Sequence, residues 1–239
     1  MAGKKKFAVL SSFADDIILN NDAMTLEKRE GGPALFIKKT LDDLGEEYDM
    51  ARSKKGIVEI LIEGGVEKGR IVNPGKVYHP RINADTVLVS TLLDEVNLER
   101  ITGEYDHIFV DVQGFVRDPT QFGCKKDWNI RRFKKIKMLK TTDYEMKHIP
   151  AALLEQVKQN GILIVTRGGG DVTVHDHGKE HTFKVEELQV GDTIGAGDTL
   201  FAAFSSKYAE TGDVSKAMEF GLEHTKKFLI ETKKSGAKK

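Results

Sequence analysis

The 239 residues predict an α/β fold built on a mainly parallel sheet, with space for a small appendage but not for a large second domain. Three patterns carry that expectation. Short apolar runs at 86–89, 107–112, 136–139 and 162–165 are separated by segments able to hold crossover helices, as in a sheet covered on both faces. Two β-rich pieces, 57–62 and about 70–72, flank Glu63-Gly64-Gly65 and read as a hairpin or small sheet. Two helices, 196–209 and 214–232, close the chain.

Taken in order, 7–10 reads as a first buried strand, followed by a loop. Pro33 suits a first helical position and opens a helix carrying Leu35, Phe36, Ile37, Leu41 and Leu44, which Gly45 stops. The hairpin at 57–62 and 70–72 then precedes the parallel strands. Segments 172–174 and 182–185 flank Asp176-His177-Gly178-Lys179 and read as an antiparallel hairpin. The tail at 233–239 reads as a frayed, solvated end. No internal repeat or low-complexity linker is present.

Thirty-seven basic and thirty-seven acidic residues cancel, so no overall field recruits nucleic acid or a membrane surface. The basic cluster of Lys125, Lys126, Arg131, Arg132, Lys134 and Lys135 around Trp128 and Phe133 reads as a solvated face. Cys124 is the only cysteine, which leaves no intrachain disulfide and no cysteine-rich zinc site and fits a reducing compartment. His175, His177 and His181 fall in the predicted hairpin without the partner ligands of a zinc site. The basic start is followed by Ser11, Ser12, Asp15 and Asp16, which interrupt any signal peptide or membrane span. A soluble, cytoplasmic protein is expected.

The chemistry concentrates in Gly191-Asp192-Thr193-Ile194-Gly195-Ala196-Gly197-Asp198, followed by the apolar run from Leu200 to Phe204. Gly195 and Gly197 let backbone approach a ligand closely, and the free amides of a helix start favour an anion. A carboxylate beside a bound phosphate is costly unless it works as a base, so Asp198 is assigned the proton of an attacking hydroxyl. No G-x-x-x-x-G-K-[ST] run is present, so a P-loop enzyme is unsupported.

This stretch resembles the D-T-x-G-A-G-D signature of the ribokinase-like (phosphofructokinase-B) family of carbohydrate and nucleoside kinases at every position. The resemblance extends in element order over nearly the whole chain and comes nearest to archaeal inositol-kinase-like members. It implies a three-layer fold, 1–239 as a single domain, with a reduced β lid at about 55–80. It also implies roles for particular residues. Asp198 would be the base, with the N–H groups of Gly195, Ala196 and Gly197 as the anion hole. Asp16 and the Gly31-Gly32 loop would hold the acceptor; the usual asparagine beyond that loop is replaced around Leu35, Phe36 and Ile37. Asp111-Val112-Gln113-Gly114-Phe115-Val116-Arg117 resembles a D-x-x-G-[FY]-x-R element, in which Arg117 pairs with phosphate, with an anionic substrate, or within a structural salt bridge. Thr142-Asp143-Tyr144-Glu145 resembles the N-x-x-E element with threonine for asparagine, so Glu145, with Asp192, would organise Mg²⁺ through water; a helix cap is the alternative role for Glu145. Thr166, Gly168 and Thr193 would meet the nucleotide.

Together these features predict an ATP-dependent phosphotransferase acting on an alcohol of a small sugar, polyol or nucleoside, with ATP, Mg²⁺ and a monovalent cation as cofactors. The altered asparagine positions keep open a catalytically weak or inactive relative that binds nucleotide or sugar as a regulator. Only about ten residues separate Gly45 from the strand at 57, which leaves a small cover over the acceptor and apolar side chains on both strand faces. A homodimer joined through the exposed edge of that hairpin follows.

Overall fold

The protein is described by a computed structural model that covers residues 5–63, 66–78, 82–120, 124–186, 188 and 193–236. The chain enters through β1 (Lys5–Ser11), leaves the core as β2 (Ala14–Asn20) and β3 (Thr25–Gly31), and returns as helix α1 (Pro33–Asp43) and β4 (Tyr48–Met50). A second excursion runs through β5 (Ser53–Lys54), β6 (Gly56–Glu63), β7 (Val66–Asn73) and β8 (Lys76–Val77). Then come β9 (Ala84–Ser90), α2 (Leu98–Glu104), β10 (Ile108–Asp111), α3 (Gln113–Val116), β11 (Ile136–Thr142), α4 (Asp143–Met146), α5 (Ala151–Asn160) and β12 (Ile162–Arg167). The chain closes with β13 (Gly170–Asp176), β14 (Lys179–Phe183), α6 (Ala196–Thr211) and α7 (Val214–Gly236).

An eight-stranded sheet in the order β14-β13-β12-β11-β10-β9-β1-β4 forms the centre. Neighbours from β4 to β12 are parallel, and β13 and β14 add an antiparallel edge hairpin, as expected. Side-chain alternation divides the core into two layers. Ala8 and Leu10 of β1 pack with α2, α3 and α5 through Leu98, Ile101, Phe115, Leu153 and Val157. Phe7 and Val9, on the other face, meet Ile37 and Leu41 of α1 and Leu200, Phe201 and Phe204 of α6. Each of these large side chains, buried completely, contributes about 1.5–3 kcal/mol. Helix α6 is apolar almost all round from Leu200 to Ser206, because α1, α7 and the sheet enclose it. Its end is set by Gly212, whose left-handed φ of 64° lets its N–H reach Tyr208 O.

The cover is larger than the hairpin expected at 55–80. It is a four-stranded sheet, β3-β2-β6-β7, whose other half comes from residues ahead of α1, where the sequence predicts a loop. Strand β2 alternates only weakly, and β3 presents Glu27, Lys28 and Glu30 to solvent, so neither shows the apolar pattern of a core strand. Strand β2 runs parallel to β6, with Asp16 opposite Val58, and antiparallel to β3, with Ala14 opposite Gly31. The inner face of the cover, Ala14, Ile18, Val58, Ile60 and Ile71, packs on Leu92. On the outer face Leu19 and Leu26 are 45% and 74% exposed. The 57–62 strand is therefore interior to this sheet, and the hairpin's open edge is β7. Helix α7 continues to Gly236, past the expected stop at 232. Among the described residues no helix is long and apolar enough to cross a membrane.

Candidate active site

The carboxyl ends of the parallel strands are where an open α/β sheet gathers ligand-binding groups. Helix α6 points its amino end at them. Gly195 caps the helix with φ 84°, and a Cβ there would overlap the ring of Phe36, so both conformation and space demand glycine. Thr199 N–H closes the first helical turn on Gly195 O. One expected donor is withdrawn: Ala196 N–H bonds Thr193 O at 3.1 Å, because the loop closes with a tight turn before the helix begins. The amides of Gly195 and Gly197 have no hydrogen bond among the described residues.

Asp198, in the first turn, is 8% exposed. Its Oδ1 accepts from Ser90 Oγ at the end of β9 and from Gln113 Nε2 at the start of α3, both at 3.1 Å. Its Oδ2 has no bond among the described residues. Burial, reinforced by the Asp111 carboxylate, pushes its pKa up to about 7. Ser90 and Gln113 were not among the expected site residues, since 108 and 85 positions separate them from Asp198 and only the fold joins them.

Arg117 stands behind this group. Its Nη2 donates to Gln113 Oε1 and its Nη1 to Leu92 O, each at 3.1 Å, so it orients the amide that bonds Asp198. Lys140 was missed as well. It is buried in β11 and its Nζ lies 2.7 Å from Asp111 Oδ2 at the end of β10.

Glu145 performs the capping that was its alternative role. Thr142 Oγ1 accepts from Glu145 N–H while Glu145 Oε2 accepts from Thr142 N–H, a capping box that fixes α4. Its other oxygen, Oε1, takes a hydrogen bond from Lys125 Nζ at 2.8 Å, and both side chains are nearly buried. Burial works to raise the Glu145 pKa, but Lys125 outweighs it and holds the carboxyl below its ordinary range. With both oxygens engaged, Glu145 suits a water-mediated contact to Mg²⁺ in exchange with Lys125, not direct ligation. Asp192 lies outside the described residues, and among those described no cluster of His, Cys, Asp or Glu is built to hold a metal.

On the acceptor side the structure brings Asp16, Gly31 and Gly32 together. Asp16 is buried, and a Cβ on Gly31 would overlap its carboxylate. Gly32 has φ 82°, and a Cβ there would lie 2.6 Å from Ser12 O, so the loop packs backbone against backbone. Ser12 Oγ donates to Glu95 Oε1 at 2.7 Å, and Glu95 also accepts from Leu92 and Leu93 N–H. That knot ties the loop after β1 to the loop after β9.

Thr166 ends β12 half-buried, with Oγ1 on Thr141 O at 3.4 Å. Gly168 is exposed at φ 61° with open space where a Cβ would be, and Thr193 is exposed. The histidines stay in the β13–β14 hairpin, where His177 pairs with Asp176. The basic cluster disperses into pairs, Lys126 with Asp94 and Lys135 with Asp106, while Trp128 stacks on Phe115 in the core and offers no face to a base.

Residues 132–224 match the model of the pfkB family carbohydrate kinases, from just before β11 into α7. Among solved structures, the chain is similar to a pyrophosphate-dependent kinase in the ribokinase family, complexed with a pyrophosphate analogue and myo-inositol. That likeness has 19% identity, covers 92% of this chain and 93% of the other, and gives a TM-score of 0.69. The fold is ribokinase-like. The nucleoside kinase of Methanocaldococcus jannaschii aligns at 16% identity over 94% and 91% of the two chains, with a TM-score of 0.67. Ribokinase of Arabidopsis thaliana, complexed with ribose and ATP, aligns at 16% identity over 93% and 92%, with a TM-score of 0.66. No curated protein sequence matches the chain. In this ribokinase-like frame the family match spans Lys140, Glu145, Gly195, Gly197 and Asp198.

Proposed function

We propose that this protein is a kinase that moves the terminal phosphoryl group of a polyphosphate donor onto an alcohol of a small sugar, polyol or nucleoside. The observation that carries the reading is the placement of Asp198, buried, with a pKa near 7, beside the amides of Gly195 and Gly197; among the described residues neither its Oδ2 nor either amide has a hydrogen-bond partner. A base whose pKa lies near the working pH is ionised often enough to act and basic enough to take a proton.

The acceptor hydroxyl gives its proton to Asp198 Oδ2 as its oxygen bonds to phosphorus. The bond from that phosphorus to the bridging oxygen of the donor breaks, and its electron pair leaves with ADP or phosphate. Charge on the transferred group is met by the amides of Gly195 and Gly197 at the positive end of α6. Asp16, aligned by Gly31 and Gly32, accepts hydrogens from other acceptor hydroxyls. Arg117 acts through Gln113 as a positioning residue. ATP is the proposed donor, with Thr166, Gly168 and Thr193 on its nucleotide. Mg²⁺ would arrive with the donor and neutralise phosphate charge, with Glu145 accepting from one of its waters.

We infer a homodimer as well, joined through the cover, because Leu19 and Leu26 stand exposed on its outer face. The test of the activity is acceptor-dependent release of ADP across a panel of polyols, sugars and nucleosides. Release with at least one acceptor is expected; none with any, at concentrations where donor binding is saturated, would refute the kinase reading.

A further inference from the structure

A cavity of about 990 Å³ lies at the end of the central sheet opposite Asp198, between the amino ends of β1, β9 and β10 and the last turn of α6. That volume suits a small organic molecule and far exceeds what a single ion needs. No residue placed in the phosphoryl-transfer site lines it.

The wall is built for positive charge. Asp85, Glu104 and Asp106 line the cavity with one ammonium, Lys6, and Lys6 Nζ is spent on both oxygens of Glu46, at 2.6 and 2.7 Å. Helix α6 ends here at Tyr208 to Gly212, and the carboxyl end of a 16-residue helix carries partial negative charge. Tyr208 stacks on Phe204 with ring centroids 5.8 Å apart, which fixes an aromatic ring in the wall, a group to which ammonium ions are drawn.

Two polar groups here lack the partners that buried groups ordinarily have. Thr86 is 8% exposed, yet its hydroxyl has no hydrogen bond among the described residues. The alternation of β9 puts it on the same side as Leu88, which packs in the layer of α6, so the hydroxyl faces the helix across the cavity. Glu104 accepts from Arg100 Nε on Oε1 at 3.0 Å, while Oε2, shielded from solvent, has no donor. The carboxylates do not converge on a point, since among the described residues no three His, Cys, Asp or Glu side chains could share a metal ion. A cation that satisfies them must carry its charge at more than one place.

We propose that this cavity binds an organic di- or polyamine, with its ammonium groups divided between the carboxylates of Asp85 and Glu104 and the carboxyl end of α6, and with Thr86 Oγ1 as a further acceptor. Ammonium groups offer donors and no acceptors, which is what Thr86 and Glu104 lack. Asp106, already paired with Lys135 at 2.8 Å, stays with its surface partner. The site is separate from phosphoryl transfer and stands without it.

Calorimetry with putrescine and with spermidine, in the absence of phosphoryl donor and acceptor, tests the site. Saturable binding that weakens with added salt is expected, and a neutral diol of the same length as putrescine should not bind. Thr86→Val keeps the volume and removes the hydroxyl; Glu104→Gln removes the charge. Each should weaken binding roughly tenfold or more, the effect of losing one hydrogen bond to a charged group. Ala209→Trp, at an exposed position on the cavity wall, should block binding while the circular dichroism and thermal transition stay as in wild type. No binding of either amine at millimolar concentration would overturn the proposal, as would binding that the diol matches or that all three variants leave unchanged. Asp16→Asn should bind the amines like wild type; weaker binding there would place them in the acceptor site and overturn the proposal equally.

Discussion

Gln113 joins Arg117 to Asp198: its Nε2 donates to Asp198 Oδ1 and its Oε1 accepts from Arg117 Nη2, both at 3.1 Å. Since Ser90 loads the same oxygen, the carboxylate is held from one side, and among the described residues its Oδ2 has no partner. The orientation of the Asp198 carboxylate is thus set from the ends of β9 and β10 rather than by its own helix.

Removing that donor should act on pH. A hydrogen bond to the ionised form lowers a carboxyl pKa, so Gln113→Leu should move the acid limb of kcat/KM above about 7. Asp111→Asn removes a repelling charge and should move it below. Profiles that coincide with wild type in both variants would separate the limb from Asp198.

Asp198→Asn should lower kcat by roughly a hundredfold or more while donor affinity stays near wild type. It should also stabilise the fold at alkaline pH. The folded pKa of about 7 lies above the 3.8 of a free aspartate, so stability is fully present below the lower value and declines as pH rises through the higher one. The variant escapes that loss, so its melting temperature should exceed wild type by several degrees at pH 8 and by less at pH 5. An equal difference at both pH values would contradict the shift.

The acid-glycine loop was legible because its chemistry is local: two glycines, a helix start and a carboxylate lie within four residues of one another. The central strands were legible because burial on both faces makes them apolar runs. Strands β2 and β3 were not, since their partners are β6 and solvent and their Asp, Glu, Lys and Arg content reads as loop. Lys140 could have been noticed as a cation directly after Met138 and Leu139 in a parallel strand, but its surroundings depend on Asp111 and Gly197, which only the parallel register and α6 bring to it.

Glu145→Gln should raise the Mg²⁺ concentration for half-maximal rate, because an amide orders a metal-bound water less well than a carboxylate. The capping bond to Thr142 survives in an amide oxygen, so stability should change little. A titration superimposable on wild type would leave Glu145 as a cap alone.

Gly31→Ala places a methyl group against the Asp16 carboxylate and must displace it. KM for acceptor should rise at least tenfold, with donor KM near wild type. An unaffected acceptor KM would remove Asp16 from the acceptor site.

Leu26→Lys, on the outer face of the cover, should shift sedimentation from dimer to monomer at micromolar concentration without altering the circular dichroism spectrum. A wild type that sediments as a monomer would contradict the dimer directly.

The pairing of β2 with β6 also decides which of two adjacent acids can meet a ligand. In the observed register Asp16 faces inward over Gly31, while Asp15 faces outward between Lys28 and Lys55. A slip of one residue would exchange them, turning Asp15 away from its two lysines and carrying Asp16 into solvent. Those surface ion pairs, individually worth little, thereby act as a proofreading device: they attach a penalty to the misaligned strand, and the placement of Asp16 over Gly31 is enforced from the opposite side of the sheet.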